Sequence, residues 1–204
     1  MGLLELLTRA FVVVVCLPVH ESAHAWTADR LGDSTGRING RISLNPMRHL
    51  DLWGTLMIFM AGIGFAKPVP VNTANFKSPK QGMALTALAG PVSNLLMALV
   101  LLLISRPLMA FAPEAVLQFL WIAAYINISL AVFNLIPIPP LDGSKVAAIV
   151  LPDDMYRRFM QLGRYSVLII WGAIYLLNNA GFSPLGYVSG AVFDFFGRIV
   201  FFGL

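Results

Sequence analysis

His20-Glu21-Ser22-Ala23-His24 sets two histidines four residues apart, with a glutamate beside the first. On a helix, positions i and i+4 share a face, so both imidazoles reach one zinc ion and Glu21 reaches a water held there. The plain alternative is a pair of polar residues packed between helices. Three ionisable residues within five positions of an apolar helix are costly there unless they do chemistry.

Two histidines do not complete a catalytic zinc site, which ordinarily has three protein ligands and an open position. His49 is the third histidine in the chain, but Asn45-Pro46-Met47-Arg48-His49 reads as a loop suited to an interfacial role. Asp142 is better placed, at the end of Asn134-Leu-Ile-Pro137-Ile-Pro139-Pro140-Leu141-Asp142-Gly143, where three prolines stop one helix and Asp-Gly opens the next segment. A carboxylate there can also serve simply as the N-cap of a short helix.

The elements that must position these residues are membrane helices. Of 204 residues 58% are hydrophobic and 12% charged, and the mean hydropathy is +0.77; soluble domains carry about twice that charge. The 14 basic residues are scattered between apolar stretches with no basic run, which argues against nucleic acid as a partner. A single cysteine, Cys16, excludes an intrachain disulfide framework and a thiolate metal cluster. Leu3 to Trp26, Met83 to Ser105, Ala115 to Ile136, Val167 to Leu177 and Leu185 to Phe202 are the candidate spans. A cleaved signal peptide is the alternative for the first, with Ala23-His24-Ala25 as its cleavage site, but the charge ahead of its apolar core is balanced, not positive. Pro18, inside that helix, frees a carbonyl and bends the axis just before the histidines.

Leu52 to Ala66 is short and glycine-rich for a full span. Read as re-entrant, it leaves Thr27 to Gly82 on one side, and two further crossings return Pro137 to Tyr165 to that side. Eleven of the 14 basic residues then share one face, which the positive-inside rule identifies as cytoplasmic. Ahead of it, Arg37-Ile38-Asn39-Gly40-Arg41-Ile42-Ser43-Leu44 carries Asn-Gly between β-branched residues, the strongest local hairpin cue. The expected fold class is an all-α polytopic membrane protein of about five transmembrane helices, with a re-entrant segment and a small β-hairpin, as one domain over residues 1–204.

The pairing of H-E-S-A-H with N-L-I-P-I-P-P-L-D-G resembles the site-2 protease family of intramembrane zinc metalloproteases. R-L-G-D, G-R-I-S-L-N-P-M-R-H-L-D, G-F-A-K-P-V-P-V-N and A-G-P-V-S-N follow in the order of its compact members, and the resemblance covers roughly residues 1 to 165. One departure is Leu52, where the family pattern has proline; it falls in a loop. The resemblance implies one Zn2+ per chain, His20, His24 and Asp142 as its ligands, Glu21 as catalytic base, and Asn134 as a group that holds substrate or stabilises the oxyanion. It also implies a membrane-spanning protein substrate in the lipid bilayer. Asn134 read without the resemblance is a helix-end or interhelical hydrogen bond, and Asn94 of A-G-P-V-S-N a tie between helices.

Peptide hydrolysis within a membrane needs water and an unwound substrate. The histidines lie close to Trp26, an interface anchor, so the site is expected near the cytoplasmic face. The hairpin edge at Ile42, Ser43 and Leu44 would take the unwound substrate by strand addition. A different class of function uses the same polar residues as a relay in a small ion or proton transporter, and a third is an inactive scaffold. Toward the C-terminus, Gly186 and Gly190 form a small-xxx-small pattern that leaves a homo-oligomer open, and Asp194 and Arg198 can neutralise each other at i, i+4.

Overall fold

The computed structural model describes residues 2–61, 64–161, 163, 170, 172–173, 176–177 and 179–202. Among these residues the chain is helical and contains no strand. Helix α1 runs Leu3–Arg30, α2 Leu52–Ala61, α3 Pro79–Leu108, α4 Glu114–Asn134, α5 Asp142–Ala147, α6 Asp153–Gln161 and α7 Pro184–Val200. Three of them, α1, α3 and α4, are long and apolar enough to cross a membrane. At 1.5 Å per residue the 21 residues of α4 reach about 32 Å, close to the bilayer's hydrocarbon thickness. The span expected at Val167 to Leu177 falls largely outside the described residues. The one expected at Leu185 to Phe202 corresponds to α7, a helix of 17 residues.

Helix α1 is not regular throughout. Val12–Cys16 takes a π turn immediately ahead of Pro18, and α-helix resumes at Leu17. Proline has no N–H for the carbonyl four residues back, and its ring crowds that carbonyl; a wider turn relieves both. The irregularity expected at Pro18 is therefore a π turn one step upstream.

The core lies where α3 and α4 pack together with α7. Ala98, Leu101, Leu102, Leu120, Ala123, Ala124, Ile128 and Val200 form one buried apolar cluster. Alanines on both long helices let the backbones approach, which in a membrane drives association through packing.

Between α1 and α3 the chain forms a loop layer tied by polar groups. Asp33 is fully buried and accepts from the Thr35 N–H and hydroxyl, from the Asn72 N–H at 2.7 Å and from Asn75 Nδ2 at 2.7 Å. Those bonds fasten the start of the layer to its end. The two ends of the Leu52 to Ala66 stretch also meet: the Lys67 N–H donates to the His49 carbonyl at 2.8 Å, and a Cβ on Gly54 would collide with the Phe65 carbonyl. Residues on either side of the stretch are therefore close in space. Arg9 on α1 ties α2 to it: its guanidinium donates to the carbonyls of Ile58 and Phe59 at 3.0 and 2.6 Å.

The β-hairpin expected at Arg37 to Leu44 is not formed. Thr35–Ile38 is a helical turn, and between Arg37 and Leu44 only Gly40 takes a positive φ, of 66°. Gly36 sits against Ala25 of α1, where an added Cβ would lie 3.2 Å from the alanine Cβ. Docking on α1 and the Asp33 anchor outweigh the local Asn-Gly preference, so Asn39-Gly40 ends a helical turn instead of joining two strands.

Candidate metal centre

Packing of α3 against both α1 and α5 gathers the histidines and the distant aspartate. His20 and His24 lie on the side of α1 that faces α3, where they contact Asn94 and Thr86, and Asp142 is the first residue of α5. All three are buried, at 7%, 8% and 6% exposure. Asp142 does not cap its helix; its side chain turns to the histidine pair instead. The residue after it must be small, because a Cβ on Gly143 would overlap the Leu135 carbonyl. Prolines 137, 139 and 140 end α4 and return the chain tightly enough to bring Asp142 here.

The donor atoms suit zinc. His20 Nε2 and His24 Nε2 are 3.0 Å apart, and Asp142 Oδ2 lies 3.4 and 3.2 Å from them. Ligands at 2.0–2.2 Å from a tetrahedral ion stand roughly 3.3–3.6 Å from one another, so the three atoms approximate one face of that tetrahedron. Each histidine has its other nitrogen engaged: His24 Nδ1 donates to the Thr86 carbonyl at 2.7 Å, and His20 Nδ1 meets Asn94 Oδ1 at 2.9 Å. That leaves both Nε2 atoms to face Asp142.

A cavity of about 180 Å³ opens on these groups. Glu21 and Asn134 line it, as do Pro68, Val69 and Val71 from the stretch before α3. Asn134 also donates through Nδ2 to the Leu130 carbonyl at 3.0 Å, the helix-end bond read from its sequence context. Ile42, Ser43 and Leu44 are not among the residues lining the cavity. The Ser43 carbonyl instead accepts from His49 Nε2 at 2.6 Å, and Leu44 is 68% exposed. In the loop layer ahead of α3 it is Pro68, Val69 and Val71 that line the cavity instead.

His49 is fully buried, away from the donor cluster. Burial lowers its pKa, the Arg41 charge adds to that, and the bond to Ser43 opposes it without prevailing. At Asp142 burial works against the charge, but hydrogen bonds from His20 and His24 and the nearby Lys145 hold the carboxyl well below the usual carboxylate range.

Sequence reasoning missed Lys145 and Gly90. Lys145 Nζ bonds Asp142 Oδ1 at 2.9 Å and lines the cavity; its place three residues after Asp142 at a helix start was the available signal. A Cβ on Gly90 would collide with His24 Nε2 and lie 2.5 Å from His20 Cε1.

Comparison with known proteins agrees with this chemistry. Residues 104–177 match the model of Peptidase family M50. The chain is 37% identical to YwhC of Bacillus subtilis over 164 residues, 77% of this chain and 75% of that one. It is 29% identical to Rip2 of Mycolicibacterium smegmatis, covering 83% of this chain and 66% of the relative. Rip2 of Mycobacterium tuberculosis is 35% identical, over 70% of this chain and 56% of its own length. All three are named, by inference, as zinc metalloproteases. No solved structure matches the chain. These relatives support a zinc metalloprotease, and none of them favours the transporter or scaffold reading. The chain belongs to peptidase family M50, the site-2 protease family of intramembrane zinc metalloproteases.

Proposed function

We propose that His20, His24 and Asp142 hold the catalytic zinc and that Glu21 is the general base for hydrolysis of peptide bonds in or near transmembrane segments. The observation that carries this is the cluster itself: three buried donor atoms within 4.8 Å of one another, opening on a cavity that Glu21 lines. Bound zinc supplies Lewis acidity to the scissile carbonyl and lowers the pKa of water at the site. Glu21 takes the proton of the attacking water and delivers it to the leaving amine. Asn134, on the cavity wall, holds the substrate backbone or the developing oxyanion. An unwound substrate lies along Pro68–Val71, the cavity wall ahead of α3, in place of the edge at Ile42 to Leu44.

The remaining architecture follows from charge and length. About five spans, with Leu52 to Ala66 re-entrant, put the metal site near the cytoplasmic face with most of the basic residues. Residues 1–204 then work as one membrane-embedded domain.

Zinc content of the purified protein and cleavage of membrane-anchored peptides, with and without Glu21→Gln, test this reading together. The substituted protein should keep one zinc per chain and lose cleavage by about 10²–10⁴-fold, the usual share of a general base. Wild-type cleavage by Glu21→Gln, or no zinc in the active protein, would remove the assignment.

A further inference from the structure

Beyond the three ligands, we propose that one stripe of α3, Thr86, Gly90 and Asn94, is the frame that sets the metal geometry, with Asn94 as a positioning residue for His20. The stripe is spaced i, i+4, i+8, so it lies along one face of α3. Its contacts run opposite in direction to α1: Asn94 meets His20 and Thr86 meets His24. The two helices therefore pair antiparallel along the site, each histidine with its own acceptor.

The chemistry of each contact is distinct. The Thr86 carbonyl can only accept, which fixes the proton of His24 on Nδ1 and leaves Nε2 free to bind metal. Asn94 Oδ1 does the same for His20 at 2.9 Å, from a side chain only 2% exposed. Ligating histidines depend on such partners for tautomer, ring orientation and basicity. Gly90 lies between the two acceptors and contributes by absence: any Cβ there would enter the space of His24 Nε2 and His20 Cε1. The stripe thus supplies two acceptors, one from backbone and one from a side chain, and a gap.

This inference rests on His20, His24 and Asp142 being the zinc ligands, so the experiment includes His24→Ala as its reference. The full chain in detergent is titrated with zinc against a chromophoric chelator, and with cobalt for its d–d absorption. Thermal unfolding of the zinc-free forms monitors folding. Asn94→Leu, which keeps the volume and removes the acceptor, should lose about 10–100-fold in zinc affinity. Asn94→Asp, which keeps the acceptor, should stay within a few-fold of wild type while shifting the cobalt bands. Gly90→Ala should fold and bind zinc at least tenfold more weakly. In cobalt-loaded wild type, two hyperfine-shifted, slowly exchanging imidazole N–H resonances should appear, one per histidine. Unchanged zinc affinity in Asn94→Leu alongside loss in His24→Ala would overturn the frame and leave the ligands standing. Unchanged affinity in His24→Ala would overturn both. A single shifted N–H resonance in the wild-type protein would refute the role of Asn94 with no variant needed.

Discussion

The two halves of α3 serve different purposes. Its first half, around Thr86, Gly90 and Asn94, faces the His20–His24 pair of α1 with small and polar groups. Its second half, from Ala98 to Leu102, is buried in the apolar cluster with α4 and Val200 of α7. A metal site needs room and fixed dipoles, so the first half cannot be filled with leucine. It is tied by hydrogen bonds, Asn94 and Thr86 to the histidines and Lys80 Nζ to the Leu151 carbonyl at 2.7 Å, and the loop layer ahead of it is tied by Asp33. Stability and chemistry are thus separated along one helix.

If that separation is real, damage to the apolar half should cost stability and spare the metal. Leu102 has no exposed surface. Leu102→Ala should destabilise the zinc-free protein by about 2–5 kcal/mol, the range for emptying a packed leucine site. Denaturant unfolding in detergent measures this, and the zinc affinity of the folded fraction should remain within twofold of wild type. A tenfold loss of affinity would show that the halves are coupled.

The polar ties of the loop layer that leads into the first half should behave differently, through pH. Burial acts to raise the carboxyl pKa of Asp33, but bonds from Thr35, Asn75 and Asn72 outweigh it and hold the pKa below the usual carboxylate value. A carboxyl depressed on folding adds stability that is complete above its unfolded value, about 3.9, and disappears as pH falls through the lower folded value. Asp33→Asn should therefore cost about 1–3 kcal/mol at pH 7, from hydrogen bonds to a charged group. The gap between the two proteins should close as the medium is made more acid than pH 4. Zinc-free unfolding at pH 7 and at pH 3 checks this, and a gap that widens in acid would contradict the sign.

The same contrast explains what could be read from the chain. The i, i+4 spacing of His20 and His24 is a local fact of helix geometry and needs no fold to be seen. Asp142 lies 118 residues beyond His24, so composition and turn signals offered it only as a candidate, and the family resemblance singled it out. Gly90 was illegible because its role is the volume it leaves to residues on another helix. The hairpin was misread for the opposite reason. Asn39-Gly40 did mark a turn, with Gly40 at positive φ, but Gly36 against Ala25 and the anchor at Asp33 decided what preceded it. Long helices were legible from length and apolar content, while the π turn at Val12–Cys16 was not, since Pro18 fixes that strain must be relieved but not where.

The smallest effect expected is also the sharpest probe of the site half. Lys145 holds Asp142 Oδ1 at 2.9 Å while Oδ2 faces both histidines. One carboxylate oxygen is thereby committed to an ammonium group and the other to the metal side, which keeps the carboxylate from turning both oxygens toward the ion. Lys145→Met keeps much of the side-chain length and removes the hydrogen bond. Zinc affinity should fall about fivefold to tenfold, near the low end for loss of a ligand's partner because water in the cavity can take over Oδ1. Lys145→Arg, which keeps the charge and a donor, should recover most of it. Chelator competition measures both, and kcat/KM at saturating zinc separates this from catalysis: an activity loss that persists with zinc bound would mean that Lys145 also touches the substrate. Equal affinities for wild type and Lys145→Met would show that the histidines alone orient Asp142, and that the site half is held from α1 and α3 without help from α5.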